Sequence, residues 1–337
     1  MPLFSIIIPV YNVAQYLEFC LNSVINQVFT DYECILIDDG STDESPNICD
    51  NYSLKDNRIK VIHKKNGGLS DARNTGILNS TGEYIVLLDS DDSLSSIDSL
   101  LNLSIIINKT NVDVIFNSKL TTFFDNNIIN SSEQFFDNHE CYYPNTFFKY
   151  IMHNNNILLA GWLFSLKKKY LLKYNLFFKS GLFHEDELWM PLVICYAEKI
   201  AINHNPFYSY RIKREKSIMS ELNPKRLIDM QLIIDELQLR KNQVPKNVKF
   251  IIYERSVFIF FIVFNSVFTL AKKYKNENNE IIKKLNKQKT LLFYVKKIKN
   301  YIFLFLFFFI GIKQSYYLKE KIKFIIKGSS ENPNIKK

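Results

Sequence analysis

The stretch Gly82–Asp92 (GEYIVLLDSDD) constrains this chain more than any other. Tyr84 to Leu88 are apolar or aromatic without a polar break, the pattern of a strand buried on both faces in a parallel sheet covered by helices. Asp89, Asp91 and Asp92 follow at once, at the strand's carboxyl end. Open α/β sheets bind ligands in the crevice outside those ends, so a site is expected here. Carboxylates this close repel one another unless a cation sits among them, and hard oxygen donors suit Mg²⁺ or Mn²⁺. An ion held by only one or two protein carboxylates keeps positions for phosphate oxygens, which points to a nucleotide diphosphate. Standing alone, the same residues also read as an acidic turn capping the next helix, with Asp92 or Ser93 as N-cap.

The preceding residues turn the balance toward a site. Phe4 to Val10 is an apolar run ending in Pro9-Val10, followed by Tyr11-Asn12 as a turn, and Val13 to Gln27 carries a helical stripe. Tyr32 to Ile37 is a second strand leading into Asp38–Asp43, with a helix expected around Ile48 and Tyr52. Arg58 to His63, Gly68 to Ser80 and Tyr84 to Leu88 read as strand, helix and strand. Leu100 to Asn108 and Val112 to Phe116 add a helix and a strand. This alternation predicts right-handed βαβ units and a mostly parallel, Rossmann-like α/β sheet with helices on both faces. The polar strand ends then meet along one edge. The first strand is followed by Pro-Val-Tyr-Asn-Val-Ala, without the glycines of a dinucleotide fingerprint, and there is no P-loop. Lys119 to Asn156 is polar and Asn-rich and reads as loops or an insertion bordering the cleft.

Four of these pieces, in order, resemble family 2 of the inverting glycosyltransferases: Ser5–Asn12 (SIIIPVYN), Ile37–Asp43 (IDDGSTD), Gly67–Asn74 (GGLSDARN) and Leu88–Asp92 (LDSDD). The resemblance covers about the first two hundred residues and implies a GT-A fold that takes nucleotide-sugar donors. It implies that Pro9, Tyr11 and Asn12 line the nucleotide pocket, that Asp39 meets the uracil imide, and that Arg73 reaches toward base and phosphates. Asp89 and Asp91 match the family's Asp-x-Asp, with Asp91 the first choice as ligand of Mn²⁺ or Mg²⁺ and Asp92 able to share it. His184–Glu187 resembles the Glu-Asp motif on the acceptor side. Inverting transfer needs one base for the acceptor hydroxyl, and the resemblance gives Asp186 that role, with Glu185 shaping a sugar pocket or serving as base instead. Arg211 and Arg214 fall where the family places a basic segment over the donor diphosphate. The Gln-x-x-Arg-Trp motif of processive polymerases is missing, which favours transfer of a single sugar.

Beyond Ser220 the reading rests on composition. The chain carries a net charge of +9 and 28 Phe among 337 residues, and both Lys and Phe concentrate after Val248. Lys225 to Lys241 and Lys249 to Lys273 read as helices; Tyr301 to Ile312 is an apolar run between Lys-rich segments. Aromatic runs flanked by Lys suit a helix lying in the interface of an anionic bilayer, and unbroken Phe runs argue against a nucleic-acid surface. No uninterrupted apolar stretch reaches spanning length, so attachment is expected rather than spanning. Five Cys without a CxxC indicate neither a zinc cluster nor a disulfide framework and fit a reducing cytoplasm. The N-terminus enters a strand at once, with no basic n-region or cleavage site, so no secretory signal is expected.

The sequence therefore predicts a GT-A domain over residues 1–220, with a nucleotide-sugar half to about 117 and an acceptor half from 118. A helical, basic and aromatic region over 221–327 attaches to the membrane, and a disordered tail spans 328–337. The expected activity is metal-dependent transfer of glucose or galactose from a UDP-sugar to a polyprenyl diphosphate-linked saccharide, in O-antigen, capsule or lipooligosaccharide synthesis. The expected place is the cytoplasmic face of the bacterial inner membrane, as a peripheral protein. An N-acetylhexosaminyltransferase and a non-catalytic nucleotide-sugar-binding subunit are the alternatives.

Overall fold

Strands β1 (Phe4–Val10), β2 (Tyr32–Asp38), β3 (Ile59–His63) and β4 (Tyr84–Leu87) alternate with helices α1 (Ala14–Ile25), α2 (Ser45–Lys55) and α3 (Leu69–Asn79). The computed structural model describes residues 1–124, 127–133, 136, 139–153, 160–212, 224–270 and 275–294. β1, β2 and β4 are buried along their lengths, as their mostly apolar sequences require, with Ser5, Glu33 and Asp38 as buried polar exceptions. The four strands are parallel, in the order β3-β2-β1-β4. The chain steps outward from β1 to β3 and then returns across the sheet to β4. With right-handed crossovers, α1 and α2 share one face and α3 takes the other, consistent with α1 lying against α2 and α3 against β1 and β2. The direction reverses between β1 and β4, and the crevice at such a switch point is where these sheets hold ligands. This α/β architecture is the one the alternation predicts.

The sheet then continues in a way the sequence pattern did not disclose. After β5 (Ser93–Leu94) and α4 (Ser99–Thr110) come β6 (Val114–Phe124), β7 (Asn127–Glu133), β8 (Cys141–Tyr142) and α5 (Pro144–His153). β9 (Phe164–Lys167), α6 (Lys168–Lys173), α7 (Asp186–Tyr196) and β10 (Ile200–Arg211) follow. β9 lies antiparallel between β4 and β6, and β10 pairs parallel with β6 and antiparallel with β5. Much of residues 119–156 is therefore ordered strand and helix rather than the loops expected. β6 is buried over most of its length, but its hairpin partner β7 (NIINSSE) is mostly polar and its Ile128 is 73% exposed, so no buried run marks β7 in the sequence.

Within the spans Met1–Ile218 with Val244–Val248, and Met219–Gln243 with Lys249–Lys337, the described residues form two compact units. The first holds the sheet. The second holds α8 (Pro224–Arg240), α9 (Lys249–Leu270) and α10 (Lys275–Gln288), with α9 packed against both others. Its core includes Ile233, Leu237, Ile259, Phe260, Val263 and Leu285. The helical stretch Lys246–Val267 is long and apolar enough to cross a bilayer by length and composition, although Lys249, Glu254 and Arg255 interrupt it. Just over half of that stretch is buried within the protein, as in a core helix. The apolar run 301–312, the mixed segment 313–327 and the tail from 328 lie outside the described residues.

At the opposite end of the parallel strands a single carboxylate ties three segments together. Glu33 Oε1 accepts hydrogen bonds from Ser5 Oγ (2.6 Å), Thr81 Oγ1 (2.9 Å) and Gly82 N (3.1 Å), and Oε2 pairs with Lys60 (2.6 Å). A Cβ on Gly82 would lie 2.5 Å from Ser5 Oγ and 2.7 Å from the backbone of Phe4, so this close approach requires glycine. Burial alone would raise the Glu33 carboxyl, but hydrogen bonds from Lys60, Ser5 and Thr81 outweigh it and hold the pKa at about 2. Because the folded pKa is depressed, the stabilisation is complete above the unfolded value and is lost as pH falls through the folded one. Glu33→Gln should cost roughly 2–3 kcal/mol at neutral pH. Urea unfolding of both proteins at about pH 7 and about pH 3 checks this: the gap narrows in acid, and an unchanged gap would refute the linkage.

Candidate active site

The carboxyl ends of β1 and β2 are laced together by side chains from the loop that follows β2. Helix α1 has no cap of its own. Instead Asp43 Oδ2 accepts from Ala14 N and Ser45 Oγ from Val13 N, both at 3.0 Å, satisfying amides that a helix start leaves open. Asn12 takes the left-handed conformation (φ 51), and its Oδ1 accepts from Thr42 N at 2.8 Å. Pro9 is buried within β1, whereas Tyr11 stands 50% exposed at the strand end. A half-exposed ring at a crevice mouth offers a stacking face for a base.

Asp39 is buried and heavily engaged. Its Oδ1 accepts from Lys64 Nζ (2.5 Å) and Gly67 N (2.9 Å), and its Oδ2 from Gly68 N (2.7 Å). Lys64 also pairs with Asp71 at 2.6 Å. Gly68 (φ 84) has a backbone conformation that suits glycine and brings its amide to the carboxylate. Asp39 is thus held where the resemblance puts a base-binding group, with one oxygen doubly used and the other accepting one bond. His63, at the end of β3, bridges Asp38 (2.8 Å) and Asp50 (3.1 Å), and these hydrogen bonds raise its pKa.

The three carboxylates after β4 meet three different fates. Asp89 Oδ1 accepts from Arg73 Nη2 at 2.7 Å. Asp92 is 1% exposed; its Oδ2 accepts from Tyr208 Oη and its Oδ1 from Arg211 N, both at 2.7 Å. Burial, reinforced by the charges of Asp91 and Asp89, pushes the Asp92 carboxyl well above the usual range. Tyr208, stacked on Trp162 at 4.0 Å, also accepts from Asp89 N. Asp91 remains partly exposed. Arg211 Nε donates to Asp91 O at 2.8 Å, and its guanidinium lies over the rings of Phe123 (4.4 Å), Tyr16 (4.8 Å) and Phe19 (5.3 Å). It fastens the acidic segment from one side by main-chain and cation–π contacts. Arg214 lies outside the described residues.

Arg73 joins the two halves of the site. It is 2% exposed, and its Nη1 donates to Glu185 Oε1 at 2.6 Å while Nη2 holds Asp89. Its Nε has no partner among the described residues. Phe178 lies beneath the guanidinium at 5.2 Å and stacks on Trp189 at 4.3 Å. Asn74, the next residue on α3, pairs with both Phe178 N (2.9 Å) and Phe178 O (2.8 Å), so one helix orders the segment leading to Glu185. His184 takes a left-handed conformation (φ 60) directly before Glu185, and Asp186 opens α7. A residue so placed has its carboxylate favoured by the helix dipole. Asp186 is partly exposed and close enough to contribute to the field at Arg73.

A divalent ion fits this donor set in one way. Asp92 has both oxygens committed and no open face. Asp89 Oδ2 and the partly exposed Asp91 supply hard oxygens at the strand end, and among the described residues no three acidic, His or Cys side chains form a cage. Mg²⁺ and Mn²⁺ accept such sites when ligand oxygens complete the shell.

The structure brings Asp89, Arg73, Glu185 and Asp186 to one place. Sequence reading missed Lys64, Tyr208, Asn74 and Phe178. Tyr208 sits in β10, whose burial does not alternate and whose register shifts between Asn203 and Tyr208, so no strand period points to it. Nothing local marks Asn74 as a backbone clamp.

Two stability outcomes follow from this geometry. Arg73→Leu leaves Asp89 and Glu185 as unpaired carboxylates and should cost about 3–5 kcal/mol in urea unfolding. Asp92→Asn reproduces the hydrogen-bonding of a neutral acid and should stay within about 1 kcal/mol of the parent at neutral pH, whereas Asp92→Leu loses about 2–4. A large cost for Asp92→Asn would show that the charged form is the one held.

Residues 5–173, half of the chain, match the sequence profile of Glycosyl transferase family 2. An uncharacterized glycosyltransferase EpsJ of Bacillus subtilis is 50% identical over 95 residues, 28% of this chain and 28% of that protein. The matched segment thus spans under a third of that relative. A cholesterol galactosyltransferase of Borreliella burgdorferi is 29% identical over 229 residues, 65% of this chain and 62% of that one. The crystal structure of S. aureus TarS 1–349 in complex with UDP-GlcNAc superposes with a TM-score of 0.74 at 20% identity, covering 95% of this chain and 91% of that chain, a likeness of fold. The motifs, the β3-β2-β1-β4 sheet with its acidic switch-point edge and the profile match agree: this chain, with its GT-A fold, belongs to glycosyl transferase family 2.

Proposed function

We propose that this protein transfers a single hexose, glucose or galactose, from its UDP form to a lipid-linked saccharide with inversion at the anomeric carbon. The observation that carries this reading is Arg73, which ties Asp89 at the donor end to Glu185, 112 positions away from it and next to Asp186. One cleft thereby holds both a diphosphate-side carboxylate pair and a candidate base. The galactosyl transfer and sterol acceptor named for the Borreliella relative support a hexose donor and an apolar carrier.

In this scheme Asp186 takes the proton of the acceptor hydroxyl as its oxygen attacks the anomeric carbon. The bond from that carbon to the diphosphate breaks on the opposite face, UDP leaves with the electron pair, and an α-linked donor gives a β-linked product. Tyr11 and Asp39 hold the nucleotide, and Arg73 fixes Glu185 against the sugar pocket. Arg211 presents its fork toward the diphosphate from a position set by its three rings. Asp91 and Asp89 would hold Mn²⁺ or Mg²⁺, which when bound would neutralise the diphosphate charge. The reading includes a peripheral position at the cytoplasmic face of the bacterial inner membrane, in O-antigen, capsule or lipooligosaccharide assembly. The Lys- and Phe-rich composition beyond Val248 supports it.

UDP release from a panel of UDP-sugars, including UDP-GlcNAc, tests the reading, with Mn²⁺, Mg²⁺ or EDTA and with or without a diphosphate-lipid-linked GlcNAc. Release should depend on one hexose donor, on metal and on acceptor. Asp91→Ala should abolish metal-dependent UDP-sugar binding. Asp186→Asn should keep UDP binding and lower turnover by about a hundred-fold or more; near-parental turnover would remove Asp186 as the base.

A further inference from the structure

The nucleotide end of the sheet contains a cationic link that the transfer scheme does not use. His63 closes β3 beside Asp38, its register partner on β2. Its Nδ1 lies 2.8 Å from Asp38 Oδ2, and its Nε2 lies 3.1 Å from Asp50 Oδ1 on α2. A carboxylate accepts and does not donate, so both contacts are hydrogen bonds only when both ring nitrogens carry a proton. A neutral imidazole has one N–H and would turn a lone pair toward the other carboxylate. The geometry therefore calls for the imidazolium, and the bonds to Asp38 and Asp50 raise its pKa.

The two carboxylates are unequal. Asp38 has 5% of its side chain exposed and Asp50 has 58%. β3 packs against β2 and α2, and their other charged groups are engaged elsewhere. Glu33 of β2 pairs with Lys60, and Lys55 of α2 lies over the Tyr52 ring. The Cys49 thiol, within the field of Asp38 and Asp50, is pushed up to about 12, chiefly by burial, and stays neutral. Lys64, next after His63, is taken by Asp39 and Asp71. Among the described residues His63 is the cation that balances Asp38.

Asp38 in turn sets one wall of the nucleotide pocket. Its Oδ1 accepts from Ser41 N (3.0 Å), Ser41 Oγ accepts from Asn12 N (3.1 Å), and Asn12 Oδ1 accepts from Thr42 N (2.8 Å). The same loop carries Asp39 and Asp43, the latter accepting from Ala14 N at the start of α1. When the ring loses its charge, the buried carboxylate keeps a weaker, neutral donor and loses its counter-charge. The bonds that run from Asp38 to Asn12 loosen with it.

We propose that His63 is a positioning residue for nucleotide binding: joined to Asp38 and Asp50 through both ring nitrogens, it holds the loop 38–45 against Asn12, and affinity for a uridine nucleotide falls as this link is lost. The use of the pocket for UDP rests on the transfer reaction proposed above; the link itself does not. Because the folded pKa is raised, the link is complete below the ordinary histidine value of about 6.5 and is lost as pH rises through the folded one.

The test uses the full chain. NMR of the histidine rings follows His63, assigned by its disappearance in His63→Gln, and calorimetry measures UDP affinity from about pH 5.5 to about pH 9. Comparing variant with parent at each pH cancels the titration of the nucleotide's own phosphate. His63→Gln should weaken UDP binding by about five-fold at the acid end and converge on the parent as the parent's ring deprotonates. Asp50→Asn, at an exposed position, should lower the His63 midpoint, so that its affinity matches the parent's at both ends and falls short between them. A loss in His63→Gln that does not follow the His63 midpoint would overturn the proposal. So would a midpoint at or below about 6.5, or one unmoved by Asp50→Asn. If the parent binds no UDP at any pH, the transferase reading fails, and amide hydrogen exchange at Ser41 and Thr42, compared among the three proteins at matched pH, decides the link. The same pH pattern there upholds it, and equal exchange in all three removes it.

Discussion

Three carboxylates within four residues at the end of a buried strand cannot stand together uncompensated, and the surrounding site answers that repulsion group by group. Asp89 is balanced by a buried guanidinium. Asp92 is withdrawn from water, bonded to a phenol and a main-chain amide, and driven toward its neutral form. Asp91, between them, is left partly exposed. With Asp92 withdrawn, Asp89 and Asp91 remain as the hard oxygen donors at the crevice, a set that suits a divalent ion completed by ligand oxygens. The partners that achieve this come from α3 and β10, so the acidic segment depends on elements far from it in sequence.

Arg73 illustrates how such compensation doubles as positioning. Burying an arginine is costly unless carboxylates meet it in good geometry. Asp89 and Glu185 do so at 2.7 and 2.6 Å, and their charges outweigh the burial that would otherwise lower its pKa. Phe178 and Trp189 fill the space beneath. Because Asn74 reads both backbone groups of Phe178, the segment before Glu185 is fixed by the same helix that carries the arginine. Glu33, at the other end of the strands, performs a comparable service for the sheet: one anion collects donors from β1, β3 and the turn before β4. The two carboxylate nodes hold opposite ends of the same parallel core.

The first half of the fold was legible because each element there carries an unambiguous signal. β1, β2 and β4 are dominated by apolar residues, with only Ser5, Glu33 and the terminal Asp38 as exceptions, α1 is striped, and the turns are marked by Asp, Asn and Gly. The antiparallel extension was not legible. β7 is held by backbone pairing with mostly polar side chains, the outer half of β6 mixes polar residues with buried Leu120 and Phe123, and the register of β10 shifts between Asn203 and Tyr208. In the helical unit the sequence drew α8 and α9 nearly to their ends.

For the site, the sequence by itself determined which residue types stand at the strand ends: Tyr11 and Asn12, Asp38 and Asp39, and the Asp89–Asp92 cluster, with Glu185 and Asp186 at a helix start. Strand periodicity forces that placement, since a parallel sheet brings all its carboxyl ends to one edge. How the charges divide was set by packing. It gave Asp92 to Tyr208 and Arg211 N, turned Arg73 inward to two carboxylates, and engaged Asp39 with Lys64 and two glycine amides. Such choices depend on burial and on partners up to 119 positions apart, and local sequence carries no record of either.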